Sequence, residues 1–310
     1  MILQFQGKLV GVPDVDNAVI GVNEPTPPPP PPTDWTRVPA RASLSENTFL
    51  TLTTGFLPLY DALGDDDILI ILVRHSERPS GTGWNVELTE NGKLWATEFG
   101  TALRNAKATS TNIQCYCTKD GEHQIVRTAQ TAFYIAKGMG DTTLSDYTQV
   151  NSDDLKTFIS GEYFKRDWTG TGYATMGKYV SYPVQLDRDK CTAFRISYDN
   201  RETEAPAAIT SDAENALCPQ NHLLDVCSSV SNKKIFVVSS HDMYVVPFVS
   251  WISRFNLSPH KYEWNDSGYG SGYWSDYMSG GAIIAHKSSK TFEVVPIAGH
   301  GDGYKYSGWN

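Results

Sequence analysis

The chain lacks the marks of several large protein classes. No stretch approaches the roughly 20 apolar residues that a membrane-spanning helix requires. The start, Met1-Ile2-Leu3-Gln4, has no basic segment running into a long apolar core, so no signal peptide is visible in this numbering. Positive charge is in deficit: 26 Lys and Arg against 35 Asp and Glu give a formal net charge of −9, which argues against a nucleic-acid partner. Cysteine is sparse, and the five present form an odd set with no zinc-site spacing. Cys115 and Cys117 fall on a predicted strand with alternating faces, where a mutual bond would be strained, so both are expected as buried thiols. Cys218 and Cys227 could bridge in an oxidising compartment.

With 40% hydrophobic residues in 310, there is enough apolar surface for one sizeable core and a smaller cap. Pro27 to Pro32 is an unbroken proline run, an extended semi-rigid spacer without backbone donors. It sets the expected organisation: residues 1–24 as a tail or module remnant, 25–34 as a Pro-rich linker, and 35–310 as the main domain. Within that domain, residues from about 141 to 232 interleave aromatic, Gly and charged types irregularly. They read as an insertion over the site, with one clear helix start at Ser211-Asp212-Ala213-Glu214.

Local patterns fill in the rest. Ile68 to Val73 is six apolar residues without alternation, as in a parallel strand covered on both faces. Thr89 is a candidate N-cap for a helix with Trp95, Phe99, Ala102 and Leu103 on one side. A strand is expected near Ile113 to Cys117, then a helix with the stripe Val126, Ala129, Phe133 and Ala136, ending at Gly138. Ile235 to Val238 gives another strand, followed by a helix through Val245, Val249 and Ile252. Gly281–Ala285 and Thr291–Pro296 read as a hairpin turned by Lys287 to Lys290. Tyr262 to Tyr277, rich in Gly, Tyr, Trp and Ser, reads equally as a binding loop or a rigid aromatic surface loop.

The most specific feature is that the first strand runs directly into Arg74, His75 and Arg78. Ligands of parallel sheets bind beyond the carboxyl ends of the strands, and arginine forks match phosphate oxygens. Arg74-His75-Ser76-Glu77-Arg78-Pro79, then Leu88-Thr89-Glu90-Asn91-Gly92, resembles the opening of the histidine phosphatase superfamily, the phosphoglycerate mutase-like enzymes and histidine acid phosphatases. Arg127-Thr128-Ala129-Gln130-Thr131-Ala132 is similar to the superfamily's second arginine segment, and His241-Asp242 to the His-Asp pair of the acid phosphatases. Ser76 stands where the family usually has Gly, so a narrowed approach or an altered backbone angle is expected there. Pro79 follows Arg78 directly, where the acid phosphatase pattern has one residue between them, and Trp84-Asn85 resembles a mutase feature.

The resemblance implies an α/β fold, a three-layer sandwich with a mostly parallel central sheet and an inserted cap region. It also implies phosphomonoester hydrolysis: His75 attacks, Arg74, Arg78, Arg127 and His241 hold the phosphoryl oxygens, and Asp242 protonates the leaving group, with Asp153, Asp154 or Glu162 as alternative donors. Neighbouring positive charge should depress the pKa of His75. No cofactor, metal site or nucleic-acid partner is expected, and the expected ligand is a small phosphate ester. The five other histidines, His123, His222, His260, His286 and His300, read as solvated or core-satisfied. Two competing readings are a metal-dependent phosphoesterase using His75, His241, Asp242 and His300, and a non-catalytic surface module on the same fold. A phosphomutase would transfer the phosphoryl group to a sugar-like acceptor instead of water. Lys156, Lys165, Arg166, Lys178, Arg188, Lys190 and Arg195 suggest a polyphosphorylated ligand such as an inositol phosphate. The proline spacer, low lysine content and acid phosphatase resemblance favour an extracellular, periplasmic or cell-surface location.

Overall fold

The computed structural model describes residues 2–5, 8–11, 35–61, 63–80, 83–104, 112–120, 123–152, 220–241, 245, 248–249, 252–253, 256–257, 273–301 and 303–306. The contacts divide the chain inside the proline run, into units 1–31 and 32–310. In the first unit, β1 (Ile2–Phe5) and β2 (Lys8–Gly11) form an antiparallel hairpin pairing Ile2 with Gly11.

The second unit is built on a six-stranded sheet. Its strands are β3 (Thr36–Arg37), β4 (Asp67–Arg74), β5 (Ile113–Cys117), β8 (Ile235–Ser240), β10 (Gly280–His286) and β11 (Thr291–Ile297), in spatial order β3-β11-β10-β4-β8-β5. β4, β8 and β5 pair in parallel; β10 alone runs the other way, antiparallel to both β4 and β11. Short pairs lie outside this sheet: β6 (Lys119–Asp120) with β7 (His123–Gln124), and β9 (Tyr273–Ser275) with β12 (Tyr304–Tyr306).

The run Ile68 to Val73 is apolar throughout because both faces of β4 are covered. Ile68, Ile70 and Leu72 face a core completed by Leu223, Leu224 and Cys227, together with Phe248 and Ile252. Leu69, Ile71 and Val73 face a second core with Phe56, Leu59, Phe99, Leu103, Ala129 and Ala136. The second core's helices are α1 (Leu57–Asp61), α2 (Glu90–Leu103) and α3 (Val126–Gly138); the first draws on α4 (Gln220–Ser229). This is the expected three-layer α/β sandwich around a mostly parallel sheet. Truncating a fully buried residue such as Ile70 should cost about 2–5 kcal/mol.

Most local expectations match. The Thr89 side chain accepts from Gly92 N and caps α2, and α3 ends at Gly138. β10 and β11 form the hairpin with residues 287–290 as its turn. Cys115 and Cys117 are both buried. At the edges of the expected insertion, Val150 enters the second core, Asn151 bridges to Tyr116, and α4 contributes to the first core. The expected helix start at Ser211, Cys218 and the seven basic residues of the insertion lie outside the described residues.

Candidate active site at the carboxyl edge of the sheet

His75 follows β4 directly, and its backbone N–H donates to Ser240 O (2.8 Å) at the end of the neighbouring β8. His241 is the next residue after that strand. The parallel register, Arg74 opposite Ser240, therefore sets two histidines side by side, with ring centroids 5.4 Å apart at 69°. Parallel pairing delivers two strand ends to the same edge, so residues far apart in sequence meet there.

The imidazole of His75 is 3% exposed. Its Nδ1 lies 2.7 Å from Ser76 O. A carbonyl can only accept, so Nδ1 carries the proton and Nε2 keeps the lone pair. Burial holds the pKa of His75 well below its ordinary value; the charges of Arg74, His241 and Arg127 push the same way, against the Ser76 hydrogen bond. The depression was expected from charge alone, but burial is its largest cause.

Each arginine is held by a different element. Arg74 Nη1 donates to Ser275 O (2.6 Å), and its guanidinium lies 4.7 Å from the centre of the Tyr277 ring. Arg127, in the first turn of α3, donates from Nη1 to Gly83 O (2.9 Å). Arg78 donates from Nη1 to Pro79 O (2.9 Å), while its Nε is buried without a hydrogen-bond partner. Arg78 is not among the charges that shift His75.

Ser76 does not take the position feared for it. It is not among the described non-glycine residues with positive φ, so no altered backbone angle is required. Its hydroxyl donates to Gly92 O (2.8 Å) and its N–H to Thr131 Oγ1 (2.9 Å), tying the loop that carries His75 to α2 and α3. The loop lies so close to α2 that a Cβ on Gly92 would sit 2.1 Å from Glu77 O.

Tyr277 was grouped with an aromatic loop of open purpose, and it flanks the site. Its ring centroid is 6.0 Å from that of His75, and it comes from the turn that leads into β10. Met278 beside it has φ 60°, a left-handed conformation that costs about 1–2 kcal/mol for a residue with a Cβ. Its N–H donates to Arg74 O (3.1 Å), while Arg74 N–H donates to Ser279 O (2.9 Å). A Cβ on Gly299 would sit 1.9 Å from Tyr277 O, so the turn is packed from behind as well. No local pattern pointed to Tyr277; a positive-φ turn next to a strand end becomes visible only in three dimensions.

His300 stacks on Trp95 (3.7 Å between centroids, 15°) and His123 on Trp84 (4.4 Å, 8°). Asp242, Asp153, Asp154, Glu162 and His260 lie outside the described residues, and His222 falls on the backbone of α4. Among the described residues there is no cluster of three groups suited to a metal ion, and no helix is long and apolar enough to cross a membrane.

No family model and no curated protein sequence matches the chain. Solved structures do. A phosphoglycerate mutase from Bacillus anthracis aligns at 13% identity over 76% of this chain and 94% of its own, with a TM-score of 0.39. A mycobacterial glucosyl-3-phosphoglycerate phosphatase aligns at 12% over 75% and 99%, also with a TM-score of 0.39. A phosphoserine phosphatase from Entamoeba histolytica aligns at 17% over 76% and 98%, with a TM-score of 0.34. All three are members of the histidine phosphatase superfamily that the sequence motifs resemble. With identities this low, the chemistry is read from the chain's own side chains.

Proposed function

We propose that the protein is a phosphomonoester hydrolase that works through a phosphohistidine on His75. The observation that carries this reading is a buried imidazole whose Nδ1 proton is engaged by Ser76 O, with the cations Arg74 and Arg127 among its described neighbours. Such a group stays neutral and nucleophilic in mild acid and sits in a field that favours a phosphate dianion.

In the first step Nε2 of His75 bonds to phosphorus as the ester oxygen departs. Asp242, the proposed acid, gives that oxygen its proton. In the second step water attacks phosphorus, the N–P bond breaks, and inorganic phosphate leaves with Asp242 protonated again. Arg74, Arg78, Arg127 and His241 are the proposed holders of the phosphoryl oxygens, and the buried Nε of Arg78 is a donor suited to one of them. Each charge-assisted bond of this kind contributes about 1.5–3 kcal/mol.

The test is rapid acid and alkaline quenching of the native protein with labelled para-nitrophenyl phosphate. Label that survives alkali, is lost in acid, and is absent from His75→Ala supports the mechanism. Turnover without such an intermediate, or activity in His75→Ala above about a tenth of native, would remove it.

A further inference from the structure

A cavity of about 600 Å³ is lined by Val126, the residue before Arg127 in the first turn of α3. Its walls include Trp84, Lys119, Gln124, Tyr147, Gln149 and Asn151. Lys119 lies in β6, two residues past the end of β5, so the cavity shares the carboxyl edge with His75 and His241. β5 is two strands from β4, so the carboxyl ends of the two strands stand about 10 Å apart at ordinary strand spacing. A sugar ring together with its ester linkage covers such a distance.

Trp84 is 44% exposed, whereas most of the described large apolar side chains are buried. The fold nevertheless fixes it. His123 stacks on the ring, and Trp84 O accepts from Val126 N (2.9 Å) at the start of α3. Arg127, the next residue, reaches Gly83 O from the other side. The pairs Gly83-Trp84 and Val126-Arg127 thus hold together both the backbone under the indole and one of the proposed phosphate-site arginines.

The lining has a chemical character. It combines two aromatic rings, three side-chain amides and one cation, and no carboxylate is among its described residues. Aromatic faces take the C–H surfaces of a sugar, and amides take its hydroxyls. One lysine suits a single additional anionic group, whereas a polyphosphorylated ring would need several cations.

We infer that this cavity is a leaving-group subsite for a phosphorylated sugar or similar polyol bearing at most one further anionic group, with Trp84 as its platform. The inference rests on the phosphatase reading of His75.

Two measurements separate the two claims. Calorimetric titration of His75→Ala should show glucose 6-phosphate binding at least about tenfold more tightly than inorganic phosphate, an advantage lost in the His75→Ala, Trp84→Ala double variant. In turnover, Trp84→Ala should lose at least about tenfold more kcat/KM on glucose 6-phosphate than on para-nitrophenyl phosphate. Lys119→Met, which leaves the Trp84 carbonyl contact to α3 untouched, should selectively raise KM for fructose 1,6-bisphosphate. Equal affinity for glucose 6-phosphate and inorganic phosphate, or proportionate losses on all substrates, would overturn the subsite even if para-nitrophenyl phosphate is cleaved. A binding advantage that depends on Trp84, in a protein that hydrolyses no ester, would keep the pocket and overturn the phosphatase reading.

Discussion

Two histidines lie at opposite ends of the paired strands β4 and β10, and their surroundings are inverted. His286, opposite Asp67 in the register, has Nδ1 2.9 Å from Asp67 Oδ1 and Nε2 3.1 Å from Glu293 Oε1, and Arg41 closes the group with a 2.6 Å bond to the same Glu293 oxygen. Each carboxylate there is hydrogen-bonded to the His286 ring, and the Arg41 guanidinium is paired with Glu293. At the other end, the groups that shift His75 are Arg74, His241 and Arg127, all of one sign. Charge balanced within the chain is holding the fold together, whereas charge accumulated at one edge is stabilised only when an anion arrives.

The largest expected effect sharpens this contrast. His75→Ala should lower hydrolysis of para-nitrophenyl phosphate by about 10³-fold or more while leaving the thermal midpoint near native. His286→Ala should do the reverse, with a lowered midpoint and a rate within about twofold of native. A similar profile for the two variants would erase the distinction.

Next in size is Glu293→Gln, which leaves the partly exposed Arg41 guanidinium against a neutral amide and should cost about 2 kcal/mol in urea unfolding at neutral pH. Burial tends to raise the pKa of Glu293, but hydrogen bonds from Arg41 and His286 overcome it and hold the group below its ordinary value of 4.5. A depressed carboxylate contributes stability that is present above the ordinary value and lost as the pH falls through the folded one. The gap between native and Glu293→Gln should therefore narrow below about pH 4.5, and a constant gap down to pH 3 would assign the loss to packing.

At the carboxyl edge, Arg127→Ala should lower the rate by about one to two decades and weaken inhibition by inorganic phosphate, since ground and transition states share those oxygens. Unchanged phosphate affinity would put Arg127 outside the clamp.

The smallest effect concerns protons alone. The folded pKa of His75 is depressed, so below its ordinary value of 6.5 the unfolded chain takes up a proton that the native state refuses. Stability should fall with pH from there, by at most about 1.4 kcal/mol per pH unit from this group. His75→Asn should flatten that part of the stability profile, and a profile of unchanged slope would mean that His75 ionises in the fold as it does in the open chain.

Sequence pattern revealed what depends on near neighbours. The apolar run of β4, the Thr89 cap, the stripe of α3 and the β10–β11 hairpin are each specified within about fifteen residues. What it missed depends on long-range pairing. Nothing local says that β10 inserts against β4 and carries the Tyr277 turn to Arg74, or that the hydroxyl of Ser76 donates to Gly92 O. The carboxylates around His286 were equally hidden, since Asp67 and Glu293 come from two other strands. At the site, His75 and His241 could be paired from motif order, while Trp84 carried a signal, an aromatic beside a mutase-like Asn, that gave no hint of a cavity.

The position of β4 in the strand order also bears on synthesis. This strand emerges early, but both neighbours that cover its edges, β8 and β10, are encoded beyond roughly half a chain length further on. Until they leave the ribosome, Ile68 to Val73 is an apolar segment with two unpaired edges, the kind that recruits strands from other chains. Closing contacts across so long an interval is slow. Nascent or truncated forms ending before residue 280 should thus need a chaperone to stay dispersed, and a premature stop there would be more damaging through aggregation than through the missing residues themselves.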